Sequence, residues 1–387
     1  MKIIILGGDG FCGWPTSLHL SKRGHEILIL DNLSRRKIDD ELGTNSLTPI
    51  VSIQERIKVW NTLNPKPITF KKIDIAQDYQ ALEALIKNYK PDAIVHFAEQ
   101  RSAPYSMKNT VTKTYTVNNN VQATHNLLVA ITQSKLDIHL VHLGTMGVYG
   151  YGWTGANPIP EGYVNVELIT RKGKLKKEIL HPANPGSVYH LTKTLDQLMF
   201  GFYTKNDQLR ITDLHQGIVW GTQTKETKLD KRLINRFDYD GDYGTVLNRF
   251  LMQAAIKHPL TIYGKGLQTR AFIHINNTVK CIEIAIQNPP KRGERTSIFN
   301  QVTETQRLID LAKMIQKRTN AKIQYLENPR REDAQNDLVV DNTRFLELGL
   351  NPTTLNEGLM EEVSEIAFKY ADRVQLDTIY PSSKWNN

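Results

Sequence analysis

Residues 2–13, KIIILGGDGFCG, run from a short β-rich stretch straight into a glycine-rich turn, and residues 26–31, EILILD, add a second such stretch closed by an acid. The rhythm continues through ITFKKI (68–73), DAIVHF (92–97) and IHLVHL (138–143), with helix-length segments such as 78–89 and 106–133 between the runs. Continuous apolar strands that alternate with helices predict a parallel sheet buried on both faces, because crossover helices cover each side. One connection departs from this pattern. Residues 32–66 are too long for a simple crossover and contain ELGTNSLTPIVSIQERIKVW, where an extra helix or flap is expected.

The turn satisfies Gly8-x-Gly10-x-x-Gly13 and also Gly7-x-x-Gly10-x-x-Gly13. Glycines permit a tight turn and close backbone approach, and the helix they open offers unpaired N–H groups to a pyrophosphate. Asp31 follows Gly10 by 21 residues, where a carboxylate accepts hydrogen bonds from an adenosine ribose. Strand, turn, helix, strand and acid in this order predict a Rossmann-type doubly wound α/β domain that binds a dinucleotide. Asp31 would repel a 2′-phosphate, which favours NAD over NADP. Arg35 and Arg36 either accept such a phosphate or form a solvent-exposed pair that starts the extra segment. The cofactor-binding candidates are Gly7, Gly10, Phe11, Cys12, Gly13, Asp31, Asn32 and Arg35.

Composition narrows the class. The chain has 387 residues, 40% hydrophobic and 23% charged, with 24 Gly and 16 Pro, which excludes disordered and collagen-like readings. No apolar run approaches the roughly 20 residues that cross a bilayer. The N-terminus lacks a small-residue cleavage site and reads as a first strand, without signal or transit peptide. Cys12 and Cys281 are the only cysteines, so no disulfide framework or cysteine metal cluster is expected, and the cytoplasm is the expected location. The net charge of +9 fits nucleic acid, an anionic membrane or a phosphorylated substrate. Zinc-finger spacing and RNA-binding aromatic signatures are lacking, and the basic stretch RKGKLKKEIL (171–180) reads as a solvated hairpin, so a nucleotide-bearing small molecule fits better.

After about residue 150 the rhythm changes to a β-like stretch at 163–180, a helix near 188–204 and RITDLHQGIVWG (210–221). Residues 222–248, rich in charge, Gly and Tyr, predict an ordered substrate loop or a mobile lid. The expected division is an NAD-binding domain over 1–185 and a smaller α/β substrate domain over 186–387, with segments near 188–217 and 297–301 returning to the first.

Tyr189-His190-Leu191-Thr192-Lys193 lies on the helix expected near 188–204, so Tyr189 and Lys193 share a face. A neighbouring ammonium lowers a phenol pKa and lets the phenolate take a proton from a sugar hydroxyl. Thr145 stands just past the fifth strand in LGTMGVYG, at the sheet edge where such enzymes place reacting groups. His190 is a candidate proton-transfer group near neutral pH. His96 and His142 read as hydrogen-bonded core residues, and no His/Asp/Glu spacing predicts a metal.

Thr145, Tyr189 and Lys193 behind this cofactor turn resemble the triad of extended short-chain dehydrogenases that act on nucleotide sugars. The segments GGDGFCGWPTSLHLSKRGHE, HFAEQRSAPYSM, LGTMGVYG, YHLTK, DLHQGIVWG, RFDYDGDYGTVLNRF, PLTIYGKGLQTR and NPRRE resemble the UDP-sulfoquinovose synthase family, from Met1 to the C-terminal helices. That resemblance implies UDP-glucose and sulfite as substrates, NAD recycled, and a 4-keto-5-ene intermediate to whose C6 sulfite adds. It implies cofactor contacts from Asp74, Ile75, Phe97 and Asn119. Substrate contacts are expected from Arg101, Met146, Gln216, Arg249, Gln268, Arg270 and Arg330. Related 4,6-dehydratases carry Thr-Asp-Glu where this chain has Thr145-Met146-Gly147, and losing two carboxylates removes repulsion against an incoming anion. Met146 and Gly147 are therefore expected to make room for a sulfonate. Family members carry a Glu at the position of Val148, which cannot transfer protons. A homodimer built through 106–133 and 188–204 and a sulfite-delivering partner protein are further expectations. A 4-epimerase or dehydratase is the rival enzyme, and an NAD-binding regulatory or nucleic-acid-binding protein the rival outside catalysis.

Overall fold

The computed structural model describes the chain except residues 153–154, 156–157, 331, 356–358, 382, 384 and 386–387. The nucleotide half opens with β1 (Lys2–Leu6), α1 (Gly13–Lys22) and β2 (Glu26–Asp31), followed by α2 (Ser34–Leu42), α3 (Ile53–Leu63), β3 (Ile68–Lys72), α4 (Tyr79–Tyr89) and β4 (Ala93–His96). Helices α5 (Ala103–Ser106) and α6 (Thr110–Ser134) lead to β5 (His139–Thr145). A hairpin of β6 (Tyr163–Thr170) and β7 (Gly173–Leu180) precedes α7 (Val188–Asn206), β8 (Arg210–Gln216) and β9 (Ile218–Trp220). The remainder includes α8 (Val246–Ala255), β10 (Leu260–Tyr263), β11 (Leu267–His274), α9 (Ile275–Gln287), β12 (Ser297–Gln301), β13 (Glu304–Arg307), α10 (Leu308–Thr319) and β14 (Ile323–Leu326).

Among the described residues the main sheet has seven parallel strands in the order β3-β2-β1-β4-β5-β8-β12. The apolar runs explain it. In β1, Ile3 and Ile5 pack with Trp14 and Leu18 on one face, while Ile4 and Leu6 pack with Leu82, Ile86 and Leu127 on the other. Strand order reverses between β1 and β4, so the carboxyl ends of these two strands open a crevice. β8 and β12, late in the chain, complete this sheet beside β5.

The second half packs its own core, with Trp220, Phe250, Phe272 and Ile315 at its centre. β11 pairs with β9 and β13, and β10 with β14. The extra segment holds two helices. Ser52 caps α3 by accepting from the Glu55 N–H, and the Leu47 N–H donates to the Phe237 carbonyl, fastening the segment to the second half. Residues 106–133 hold the one helix expected there, α6, which starts at Thr110 just after the short α5 ends at Ser106. Asn109, extended at φ −162°, starts α6 with a capping box to Thr112. The 222–248 stretch is packed, with Arg236, Phe237 and Tyr239 buried, which fits an ordered loop and not a lid. Among the described residues no helix is long and apolar enough to cross a membrane.

Candidate active site

The crevice between β1 and β4 is built by close backbone approach. Gly7 sits at φ +80°, and a Cβ there would lie 2.8 Å from the Phe97 carbonyl carbon. A Cβ on Gly13 would lie 2.1 Å from the Gly7 carbonyl oxygen. The N-terminus of α1 has no side-chain cap and no acid in its first turn, so its positive end is not neutralised, although the Trp14 N–H already donates to the Gly10 carbonyl and the Thr16 N–H to the Cys12 carbonyl. Asp31 accepts the Asp9 N–H at 2.9 Å and the Leu33 N–H at 2.7 Å, which aims its carboxylate. Burial, with the neighbouring Asp9 carboxylate, pushes Asp31 up to about 6. The glycine cradle, the uncapped helix and the aimed carboxylate fit a dinucleotide.

One cavity gathers most of the expected groups. Gly7, Gly10, Phe11, Cys12, Gly13, Asp31, Asn32, Arg35, Asp74, Ile75, Phe97 and Asn119 line it toward the glycine turn. Asn32 donates to Asp74 at 2.9 Å. Arg35 and Arg36 are not an exposed pair. Arg35 contacts Asp39 at 2.5 Å and Asp238 at 3.1 Å and lies over the Tyr243 ring, and Arg36 contacts Asp9 at 2.5 Å. Both guanidiniums are thus engaged by carboxylates, leaving Asp31 to select NAD.

Thr145, the last residue of β5, meets Tyr189 and Lys193 of α7 in the same cavity. Ser187 caps α7 by accepting the His190 N–H, and Ser106 accepts the Tyr189 N–H at 3.1 Å, so the first turn is held at both sides. Burial raises the Tyr189 phenol, and the Lys193 charge opposes that rise. Lys193 donates to the Leu143 carbonyl at 2.8 Å and pairs with Glu99 at 2.9 Å. Glu99 escaped the sequence reading; an acid directly after β4, at the sheet's carboxyl edge, was the available signal. Glu99, His142 and Asp196 bring ligand-type atoms within 4.8 Å of one another, with the Lys193 ammonium 2.9 Å from Glu99 beside them.

The histidines divide. His96 is a core residue, hydrogen-bonded to Thr124 and pushed down to about 3 by burial. His142 is likewise a buried, hydrogen-bonded core residue: burial and Lys193 pull it down, yet Asp213 and Asp196 hold it up at about 10. His190 lines the cavity and is pushed down to about 3 by burial, Arg330 and Arg270, with its Nδ1 buried and unpartnered. Val148 lies in an apolar cluster with Met146, Ile159 and Leu338 and away from the cavity wall, so its position has no access to substrate.

Of the expected substrate groups, Arg101, Met146, Gln216, Arg249, Arg270 and Arg330 line the cavity, and Gln268 is buried outside its wall. Tyr151 and Tyr263, which the sequence did not single out, support the cations: Arg270 lies 4.5 Å from the Tyr151 ring and Arg249 5.1 Å from the Tyr263 ring. Arg101 pairs with Asp238, and Arg270 with Glu332.

A parallel nucleotide-binding sheet with Thr145, Tyr189 and Lys193 at its carboxyl edge defines an enzyme of the extended short-chain dehydrogenase class. Residues 3–300 match the model of the NAD dependent epimerase/dehydratase family. The chain is 44% identical to the chloroplastic UDP-sulfoquinovose synthase of Spinacia oleracea, covering 99% of this chain and 79% of that protein. It is 38% identical to the UDP-sulfoquinovose synthase of Sulfolobus acidocaldarius, covering 100% and 98%. Among solved structures it resembles the UDP-glucuronic acid 4-epimerase of Bacillus cereus, with a TM-score of 0.68, 22% identity and coverage of 97% and 100%. The chain belongs to the NAD dependent epimerase/dehydratase family, among its UDP-sulfoquinovose synthases, and its cofactor is NAD.

Proposed function

We propose that this enzyme converts UDP-glucose and sulfite to UDP-sulfoquinovose. The observation that carries the reading is full-length likeness to two such synthases combined with a reaction cavity that offers Met146 where dehydratases carry a carboxylate. Gly7, Gly10, Gly13, Asp31 and Asp74 would hold NAD, which would accept hydride from sugar C4 and return it to C4 at the end of the cycle. Tyr189, as phenolate, takes the 4-hydroxyl proton; Lys193 stabilises that phenolate, and Thr145 orients the hydroxyl. The resulting 4-ketone acidifies the C5 hydrogen. His190, kept neutral, removes it, and that proton leaves with the 6-hydroxyl as water. Bisulfite then adds through sulfur at C6 of the conjugated ketone, forming the C–S bond among the guanidiniums of Arg101, Arg270 and Arg330, and its proton passes by way of His190 to C5; C4 is then reduced again as Tyr189 gives its proton back to the oxygen. Carbon-13 NMR of UDP-glucose labelled at C6 tests this: the hydroxymethyl signal should move to that of a sulfonate-bearing methylene, and Tyr189→Phe should abolish the change.

Residues 1–185, with the segments 188–217 and 297–301, form the NAD-binding unit in this reading, and the rest carries the UDP-sugar. A homodimer through α6 and α7 would cover Val111, Leu198 and Phe202, exposed at 76%, 59% and 58%. Light scattering of the protein and of a Leu198→Glu, Phe202→Glu variant tests it, the variant being expected as monomer. Two buried free thiols fit the cytoplasm. Sulfite serves free or handed over by a partner protein, which saturation with free sulfite alone would distinguish.

A further inference from the structure

Behind the Tyr189–Lys193 pair runs a line of buried charges that the reaction above does not use. The Glu99 side chain is 2% exposed and divides its oxygens between two cations: Oε2 lies 2.9 Å from Lys193 Nζ, and Oε1 lies 3.0 Å from His142 Nε2. On the far side of the ring, His142 Nδ1 lies 2.7 Å from Asp213 Oδ1, and Asp213 Oδ2 lies 3.0 Å from His215 Nε2. Lys193 Nζ is itself only 3.0 Å from His142 Nε2. Without the Glu99 carboxylate, two cations would face each other at that distance in a dry site, where like-charge repulsion and desolvation both favour loss of a proton.

We propose that Glu99, backed by His142 and Asp213, is the positioning residue that keeps Lys193 protonated and aimed at Tyr189. The proposal rests on Tyr189 being the proton acceptor in the reading above. Every element packed on Lys193 contributes: Glu99 and the neutral His96 from the end of β4, His142 from β5, Tyr189 and Asp196 from α7, and Asp213 from β8 behind His142. Burial works to strip Lys193 of its proton, and Glu99 leads the groups that hold it on, with Tyr189 and Asp196 behind. Thr124 donates to Glu99 at 3.1 Å, which stops the carboxylate from turning away. Glu99 by itself raises the Tyr189 phenol and Lys193 lowers it by more, so Glu99→Gln, by costing Lys193 its proton, removes the larger influence and Tyr189 ionises at higher pH.

The test reads that ionisation directly, in the protein without substrate. Tyrosine labelled with carbon-13 at Cζ gives one titrating signal per residue, and Tyr189→Phe identifies which one is Tyr189. In Glu99→Gln the Tyr189 transition should move to higher pH, each unit removing about tenfold of the phenolate at a fixed pH below it. Turnover of UDP-glucose should fall by the same factor, and its acid limb should shift with the NMR transition. Glu99→Asp keeps the charge but withdraws it from Lys193, so it should give a smaller shift in the same direction; it also serves if the Gln variant fails to fold. Tyr189 transitions that stay in place or move to lower pH in the folded variants overturn the proposal, because Lys193 then keeps its charge without Glu99. Because the titration needs neither UDP-glucose nor sulfite, it stands apart from failure of the synthase reading, which would appear as absent sulfonate in the unmodified enzyme.

Discussion

The imidazole of His190 stands where a side chain at Gly147 would be: a Cβ on Gly147 would lie 2.3 Å from its Cδ2 and 2.4 Å from its Nε2. The stretch after Thr145 therefore sends its residues to three places. Met146 reaches the cavity, Gly147 gives room to His190, and Val148 enters an apolar cluster. The expectation that Gly147 makes room for a sulfonate is corrected to that extent, since the space it leaves belongs to the imidazole. Gly147→Ala should drive the His190 ring aside at an overpacking cost of about 1–3 kcal/mol. Thermal unfolding should register that loss, and product formation should fall with it while NAD binding persists.

Met146 is the residue of this stretch that a reacting anion would meet. Met146→Asp puts a carboxylate at the cavity wall, where repulsion is only weakly screened. Sulfonate formation should drop more than oxidation at C4, so that reduced cofactor accumulates on mixing with UDP-glucose. Equal loss of both steps would mean the side chain acts through packing alone.

His190 is pushed down to about 3 by burial and by the Arg330 and Arg270 charges, so its imidazole is unprotonated across the neutral range. A group held in its basic form contributes no acid limb between about pH 5 and 8. His190→Gln should lower turnover by about 10²–10⁴-fold and slow the exchange of the C5 hydrogen with deuterated water, leaving the limbs of the pH profile in place. A limb near the ordinary histidine value that vanishes in the variant would contradict this.

Asp31 should make NAD binding weaken in acid. Its carboxyl is pushed up to about 6 by burial and by Asp9, so lowering the pH through that value protonates it. A protonated carboxyl gives up an acceptor that the adenosine ribose needs. Calorimetric titration should show the Kd for NAD rising by up to about tenfold per pH unit below 6. Asp31→Asn should bind weakly at every pH and remove the slope.

Much of the fold was legible because it follows from local patterns. The unalternating runs of β1, β2, β4 and β5 and the spacing of Gly7, Gly10 and Gly13 announce a doubly wound sheet without any long-range information. The helix expected in 106–133 was legible too, but its start at Thr110 hung on one capping residue, Asn109, whose extended backbone no periodicity reveals. Thr145, Tyr189 and Lys193 were readable from spacing and sheet position. Glu99 was not singled out, although it follows β4 at the sheet's carboxyl edge, because its role depends on meeting Lys193 of α7, 94 residues on in sequence. The engagement of Arg35 by Asp238 is of the same kind, joining residues 203 apart in sequence. Gln268 shares its face of β11 with Arg270, two residues on, yet it lies outside the cavity wall, and motif likeness does not tell how far along a strand the wall extends.

The most direct test of the central claim is mass spectrometry of the purified protein incubated with UDP-glucose and NAD, with and without sulfite. The account predicts a product heavier than UDP-glucose by the elements of SO₂, formed only when sulfite is present and lost in Tyr189→Phe. A product isomeric with UDP-glucose, or lighter by water, formed equally with and without sulfite, would contradict it.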